Sequence, residues 1–256
     1  MSIARMLKSI DIKKSKLETL RPISKEQTQN LKQLYDVDFT YNSNAIEGST
    51  LSFSETKLIL NEGLTIGGKK LSEHLEVINH QEAIGFIESL SHLKPKDIKL
   101  KDILDIHYLI LNKISSQDAG VFRSRGVGVQ KSNGEIHEFI EPLKIDEAMQ
   151  EFLEWLKNSD EHPIVLSALA HLKLVSIHPF IDGNGRTARL LMNLILLQQG
   201  YPIAVIEMKN RAKYIQTIEK AQQSSQTEDF YRVVAEAVGR SIDKHLKILT
   251  KDITLI

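Results

Sequence analysis

Helical periodicity runs through almost the whole of this 256-residue chain and fails in one stretch only. Ser24-Lys25-Glu26-Gln27 and Ser52-Phe53-Ser54-Glu55 both have the capping-box pattern, in which a Ser hydroxyl and a side chain three residues on satisfy backbone N–H groups that a helix start leaves free. From Ser72 onward, Leu75, Ile78, Ala83, Phe86, Ile87 and Leu90 recur at helical spacing, and Asp97 is expected to cap a run through Ile103, Ile106, Leu109 and Ile110. Further amphipathic runs cover about 144–158, 163–177, 185–199, 210–223 and 228–249. Gly200-Tyr201-Pro202 ends one of them, with Gly just past the last apolar turn and Pro beyond it. The exception lies between Gly120 and Pro142, where Gly126, Gly128 and Gly134 intervene and Val127, Val129, Ile136 and Phe139 fall among polar neighbours. Asn133-Gly134 is a strong hairpin-turn signal. The expected fold class is therefore all-α, a helical bundle with one small β-hairpin set into it.

Neither a fixed-period repeat nor a Gly-, Ser- or Pro-rich linker divides the chain. The loop from Asn61 to Lys70, with Gly63, Gly67 and Gly68, is the best boundary between an N-terminal arm (1–70) and a main body (71–256). Acidic and basic residues balance at 33 each, which argues against a nucleic-acid binder that works by neutralising many phosphates. The absence of Cys excludes disulfides, thiolate zinc sites, iron–sulfur clusters and cysteine nucleophiles. The longest apolar run, Leu190 to Leu197, is interrupted by Asn193 and falls far short of the roughly 20 residues that a membrane span needs. The N-terminal residues meet charge at once and carry no export-signal core. The expectation is a soluble, cytoplasmic protein with neither nucleic acid nor membrane as partner.

One segment concentrates chemistry: His178-Pro179-Phe180-Ile181-Asp182-Gly183-Asn184-Gly185-Arg186-Thr187-Ala188-Arg189. Gly183-Asn184-Gly185 can adopt positive φ and turn successive N–H groups toward an anion. A helix follows at once, so its N-terminal dipole points at the same place. Arg186 and Arg189, three apart on that helix, share a face from which both reach oxyanions. Asp182 is placed to hold a hard cation such as Mg²⁺ bridging phosphates. His178 offers a side chain suited to general-base work. A base, a metal ligand, an anion cradle and two guanidinium groups within twelve residues make a phosphate-chemistry site.

This segment resembles the signature of the Fic family (filamentation induced by cyclic AMP), H-P-F-x-[DE]-G-N-G-R-x-x-R, at every defined position. The resemblance implies a Fic-like helical bundle with a β-hairpin flap, a catalytic core over about 100–223, and transfer of AMP from ATP to a Ser, Thr or Tyr hydroxyl of a target protein with release of pyrophosphate. In that scheme His178 takes the hydroxyl proton and Asp182 holds Mg²⁺. Gly183, Asn184 and Gly185 cradle the phosphates, and Arg186 and Arg189 grip the β- and γ-phosphates. The Doc-like branch, which phosphorylates its target, tends to carry Lys where Gly185 stands, so Gly185 favours nucleotidyl transfer. Gly120-Val121-Phe122-Arg123 and the following hairpin look like the family's flap, with the target docked by strand addition at about 123–139. Lys209-Asn210-Arg211-Ala212-Lys213-Tyr214 opens the helix that by analogy contacts adenine, through Tyr214 and, two turns on, Gln222.

Upstream, Ser43-Asn44-Ala45-Ile46-Glu47-Gly48 resembles the family's inhibitory motif, [ST]-x-x-x-E-[GN]. Ser43 and Glu47, four apart, share a helix face, and Gly48 suits the residue just beyond a helix end. The resemblance implies that Glu47 pairs with Arg189 and denies the γ-phosphate its clamp. Three alternatives stand beside inhibited AMP transfer: removal of AMP from a modified target using Glu47, another nucleotide donor, and a non-enzymatic nucleotide-sensing module. Self-modification and a homo-oligomer are compatible with the resemblance.

Overall fold

The structure, a computed structural model, describes residues 2–130 and 134–251. Ten helices follow one another among them: α1 (Ile3–Glu18), α2 (Lys25–Ile46), α3 (Phe53–Glu62), α4 (Leu71–Ser89), α5 (Leu100–Leu111), α6 (Ile145–Asn158), α7 (Pro163–Ile177), α8 (Asn184–Gln198), α9 (Arg211–Ser224) and α10 (Glu228–Lys251). Between α5 and α6 stands a two-stranded antiparallel hairpin, β1 (Gly128–Gln130) and β2 (Ile136–Glu138), in the register Gly128↔Glu138, Val129↔His137, Gln130↔Ile136. Gly134, at φ 86°, takes the left-handed conformation of a hairpin turn. Asn133, the other half of the expected turn, lies outside the described residues.

The helix starts follow from local hydrogen bonding. Ser24 Oγ accepts from Gln27 N at 3.0 Å while Gln27 Oε1 accepts from Ser24 N at 3.1 Å, and Ser52 and Glu55 repeat the exchange at α3. One expectation is corrected: Asp97 does not cap α5. Pro95, with its preset φ, opens a 3₁₀ turn over Pro95–Asp97, and Asp97 accepts from Lys94 N at 3.3 Å within that turn. Asp102 performs the capping at α5 by accepting from Lys99 N at 2.8 Å.

Helix α8 is the axis of the molecule. Twelve of its fifteen residues are buried, so it is covered on every side rather than along one stripe. On one flank, Ile103, Ile106 and Ile110 of α5 and Met149 and Phe152 of α6 pack with Leu174, Leu191 and Leu194. On the other flank, Leu7 and Ile10 of α1 and Phe230, Val234 and Val238 of α10 pack with Leu172, Met192 and Leu196. A smaller cluster of Leu51, Ile59 and Val77 seats α3 on α4. A helix held on both flanks has little freedom to shift, and whatever its N-terminus carries is held with it. Among the described residues, no helix is long and apolar enough to cross a membrane.

Candidate active site

The loop from His178 to Gly183 joins α7 to α8, and its shape is set by side chains that reach it from the flap, from α5 and from the first turn of α8. His178 ends α7 in the left-handed region at φ 52°, an uncommon conformation for a residue with a Cβ. Arg123 holds it there from the flap side. Only 3% exposed, Arg123 donates from Nε to His178 O at 2.8 Å, from Nη1 to Arg125 O at 3.0 Å and from Nη2 to Ile140 O at 2.6 Å, while its backbone N–H donates to Pro179 O at 2.9 Å. Asn184 closes the loop: its Oδ1 accepts from Phe180 N at 3.0 Å and its Nδ2 donates to Phe180 O at 2.9 Å. The Asn184 side chain is thus committed to the loop itself, leaving the cradle to backbone groups.

Gly183, at φ 77°, turns the chain into α8, and its N–H donates to Asp182 Oδ1 at 2.6 Å. The first N–H groups of α8 have no carbonyl within the helix to bond and form the donor end of its dipole. His107, on α5, supports this turn from beneath. Its Nδ1 accepts from Gly120 N at 3.0 Å, so Nε2 carries the hydrogen and donates to Asp182 O at 2.9 Å. Its ring stacks on Phe180 at 3.6 Å between centroids, and burial lowers its pKa to about 4, keeping it neutral.

The two arginines of α8 do not share a partner. Arg186 turns toward α4, with Nη1 3.3 Å from Glu76 Oε1 and Nη2 3.2 Å from Asp182 Oδ2. Burial pushes the Glu76 carboxyl up, and the Arg186 charge partly offsets this. Arg189 turns toward α2. It donates from Nε to Ser43 Oγ at 3.0 Å, and from Nη2 to Ser43 O at 2.9 Å and to Glu47 Oε1 at 2.7 Å. The Glu47 carboxylate lies directly over Gly185: a Cβ built on that glycine would collide with Glu47 Oε1. A carboxylate therefore sits above the first turn of α8, where the sequence places an anion cradle.

Tyr214, expected against the base, lies instead beneath Arg189. It is 1% exposed, and its hydroxyl oxygen accepts from Arg189 Nη1 at 3.2 Å and is 2.8 Å from His171 Nε2. Gln222 is half-buried, with Nε2 3.4 Å from Ser176 Oγ. Asp182 has a 69% exposed side chain, so its carboxylate oxygens remain reachable. His178 is half-buried under the flap, where Phe139 stacks on its ring at 3.9 Å between centroids and 13° between planes. Burial lowers the His178 pKa to about 4; a backbone hydrogen bond at Val175 and the charges of Glu47 and Asp182 pull upward, while Arg123 pushes down.

His107 and Glu76 are structural members of this site that the sequence reading passes over. His107 stands within the apolar stripe Ile103, Ile106, Ile110 of α5, a local signal without chemical content. Glu76 carries no signal at all, because its partner Arg186 is distant in sequence.

The model of the Fic/DOC family matches residues 97–196. The chain is 37% identical over 248 residues to a protein adenylyltransferase Fic of Nematostella vectensis, covering 96% of this chain and 56% of that one. A Drosophila melanogaster protein of the same description is 35% identical, with 94% and 48% covered. The chain thus spans about half the length of the curated relatives it matches. Among solved structures, Fic-1 of C. elegans superposes with a TM-score of 0.86 at 31% identity, covering 98% of this chain and 74% of that one. A Fic-domain signalling protein of Bacteroides thetaiotaomicron superposes with a TM-score of 0.88 at 25% identity, covering 98% and 99%. The signature loop, the helical frame that holds it and these likenesses agree: this chain belongs to the Fic family.

Proposed function

We propose that this chain is a protein adenylyltransferase that moves AMP from ATP to a Ser, Thr or Tyr hydroxyl of a target protein, restrained by Glu47. The observation that carries this reading is the Glu47 carboxylate over Gly185, paired with Arg189. A negative group resting on a helix N-terminus and a buried guanidinium mimics the phosphate such a site is built for. Relatives described as protein adenylyltransferases support the choice of AMP transfer.

With Glu47 withdrawn, the first N–H groups of α8 and Arg189 are free to receive the outer phosphates of ATP, and Arg186 can exchange its carboxylate partners for phosphate oxygens. Neutral His178 Nε2 or Nδ1 then accepts the proton of the target hydroxyl. The hydroxyl oxygen bonds to the α-phosphorus, the bond from that phosphorus to the bridging oxygen breaks, and pyrophosphate leaves. A triphosphate beside His178 raises its pKa from about 4 toward the working range, since nearby negative charge favours the imidazolium. Asp182, a hard and largely exposed oxygen donor, fits Mg²⁺, which typically takes one or two carboxylates and fills its remaining positions with phosphate oxygens and water. Bound there, Mg²⁺ supplies charge neutralisation for the phosphates. The target segment lies along the exposed strands of the flap, about 123–139. Gln222 is the better placed of the two residues expected at the base, since Tyr214 supports Arg189. In this reading residues 1–70 form the restraining arm and 71–256 the Fic domain, with its core at about 100–223.

The test is mass spectrometry of the Glu47→Gly protein, alone and with a cell lysate, after incubation with ATP and Mg²⁺. AMP adducts are expected to rise by at least an order of magnitude over wild type and to vanish in the Glu47→Gly/His178→Ala protein. Absence of AMP on any protein overturns the transfer reading; equal labelling by wild type overturns the restraint. A second reading, removal of AMP from a modified target, draws on the Glu47 side chain being 39% exposed, so that water can reach its carboxylate. Release of AMP by wild type but not by Glu47→Gly from a pre-modified target would establish it.

A further inference from the structure

The flap does more than offer an edge for a target strand. Its base is tied to the catalytic loop by Arg123, whose guanidinium bonds Ile140 and Arg125 on the flap side and His178 on the loop side. Phe139 extends the hairpin ladder one step past β2, its N–H donating to Val127 O at 3.2 Å, so its backbone is set by the flap. From that position its ring lies flat on the His178 imidazole at 3.9 Å and 13°, while His137 of β2 meets the same ring edge-on at 5.0 Å and 89°. A stacked ring restricts the rotation of an imidazole about its own side-chain torsion and keeps water from one of its faces. His178 is thus held through its backbone by Arg123 and through its ring by Phe139, and both residues belong to the flap.

We propose that Phe139 is a positioning residue for His178, so that the flap sets the orientation of the general base as well as docking the target. This rests on the reading of His178 as the base. Arranged in this way, a target strand that pairs with the flap also orders the ring lying over the base, and productive proton transfer is coupled to correct docking. The charged and titratable groups around the imidazole are Arg123 from the flap base, Glu47 from the end of α2 and Asp182 from the loop, and none of them is altered by substitution at Phe139.

The experiment compares Phe139→Leu, which keeps bulk but loses the flat ring, with Phe139→Tyr, which keeps the stack, both in the Glu47→Gly background. Phe139→Leu is expected to lower kcat for AMP transfer by roughly tenfold to a hundredfold, as small misplacements of reacting groups do, with the KM for ATP unchanged. The acid limb of its pH–rate profile moves to higher pH, because water regains a face of the imidazole and stabilises its charged form. Phe139→Tyr restores both. An independent readout is the titration of His178 by NMR of histidine-labelled protein without nucleotide, its resonance assigned by loss in His178→Ala. There the His178 pKa rises in Phe139→Leu and returns in Phe139→Tyr. An unchanged titration together with an unchanged kcat overturns the proposal, as does a loss of kcat shared equally by Phe139→Tyr. Should no variant transfer AMP, the adenylyltransferase reading fails, while the NMR titration still decides whether Phe139 positions His178.

Discussion

Two helix ends meet at the centre of this molecule and are built in opposite ways. The N-terminus of α8 is closed by short reciprocal bonds, Asn184 with Phe180 and His107 with Asp182 and Gly120, and is backed by an apolar core on both flanks. The C-terminal half of α2 is richer in buried polar groups: Thr40, Asn42, Ser43 and Asn44 all lie inside, beside the apolar Phe39, Ala45 and Ile46. Besides the packing of Phe39 and Ile46, it is held by individual hydrogen bonds, Asn42 Oδ1 accepting from Met208 N at 2.8 Å and Ile46 O accepting from Arg211 Nε at 2.7 Å, in addition to those to Arg189. Close-packed apolar surface resists displacement over its whole area, whereas a polar contact can be exchanged for water or for a ligand at a net cost of about 1 kcal/mol. One end is the receptor, and under the proposed restraint the other is its removable occupant. Their dipoles also complement each other, with the donor end of α8 facing the acceptor end of α2 and cations of both Arg189 and Arg211 beside the latter.

This contrast can be broken at three strengths. The largest effect is expected at Gly185. Gly185→Ala puts a methyl where Glu47 Oε1 now rests, so it should expel the carboxylate yet leave the cradle filled. ATP affinity measured by calorimetry in the Glu47→Gly background should fall at least tenfold, and transfer should not rise. Intact affinity would mean that Glu47 and phosphate do not compete for one place. An intermediate effect is expected from Arg211→Ala, which removes the bond to Ile46 O at the end of α2 without touching α8. Transfer by otherwise wild-type protein should increase several-fold, with melting temperature lowered only slightly, in keeping with about 1 kcal/mol for one hydrogen bond. No increase would show that the end of α2 is held by packing after all.

The most distributed effect concerns pH and acts on stability rather than on transfer. Burial depresses the pKa of His107 to about 4 and that of His171 to about 3, and lowers that of His80, which bonds Thr40 of α2 at 3.1 Å. Because the folded values lie below the unfolded one, the unfolded chain binds more protons, and stability is fully present above about pH 6.5 and is lost as pH falls toward 4. His107 alone accounts for a loss on the order of 3 kcal/mol over that window. Denaturant melts at pH 7 and pH 4.5 should show it, and His107→Gln should flatten the dependence.

Much of the frame was legible in the sequence. Helix bounds such as 163–177 for α7 follow from apolar spacing, and the capping boxes at Ser24 and Ser52 from groups three residues apart. Asp97 shows the limit, since Pro95 two residues earlier offered a competing turn and moved the cap to Asp102. At the site, the order from His178 to Arg189 determined a nest, a helix start and a charge set, because all of these are built by bonds spanning four residues or fewer.

What the sequence by itself determined, then, is which backbone groups are left free and which side chains stand beside them. Only the tertiary structure decided their partners. That Arg186 faces Glu76 while Arg189 faces Ser43, Glu47 and Tyr214, that Tyr214 lies behind an arginine, and that Phe139 lies on His178 all depend on how separate helices and the flap cross one another. Glu47 and Arg189 stand 142 positions apart, and no spacing rule along a chain reaches that far; their pairing was expected through the family resemblance alone, and the structure has it. Local hydrogen bonding has a short range and leaves its mark on neighbouring residues. Packing joins surfaces that the chain brings together only after its helices exist, and the partner of a buried charge is chosen there.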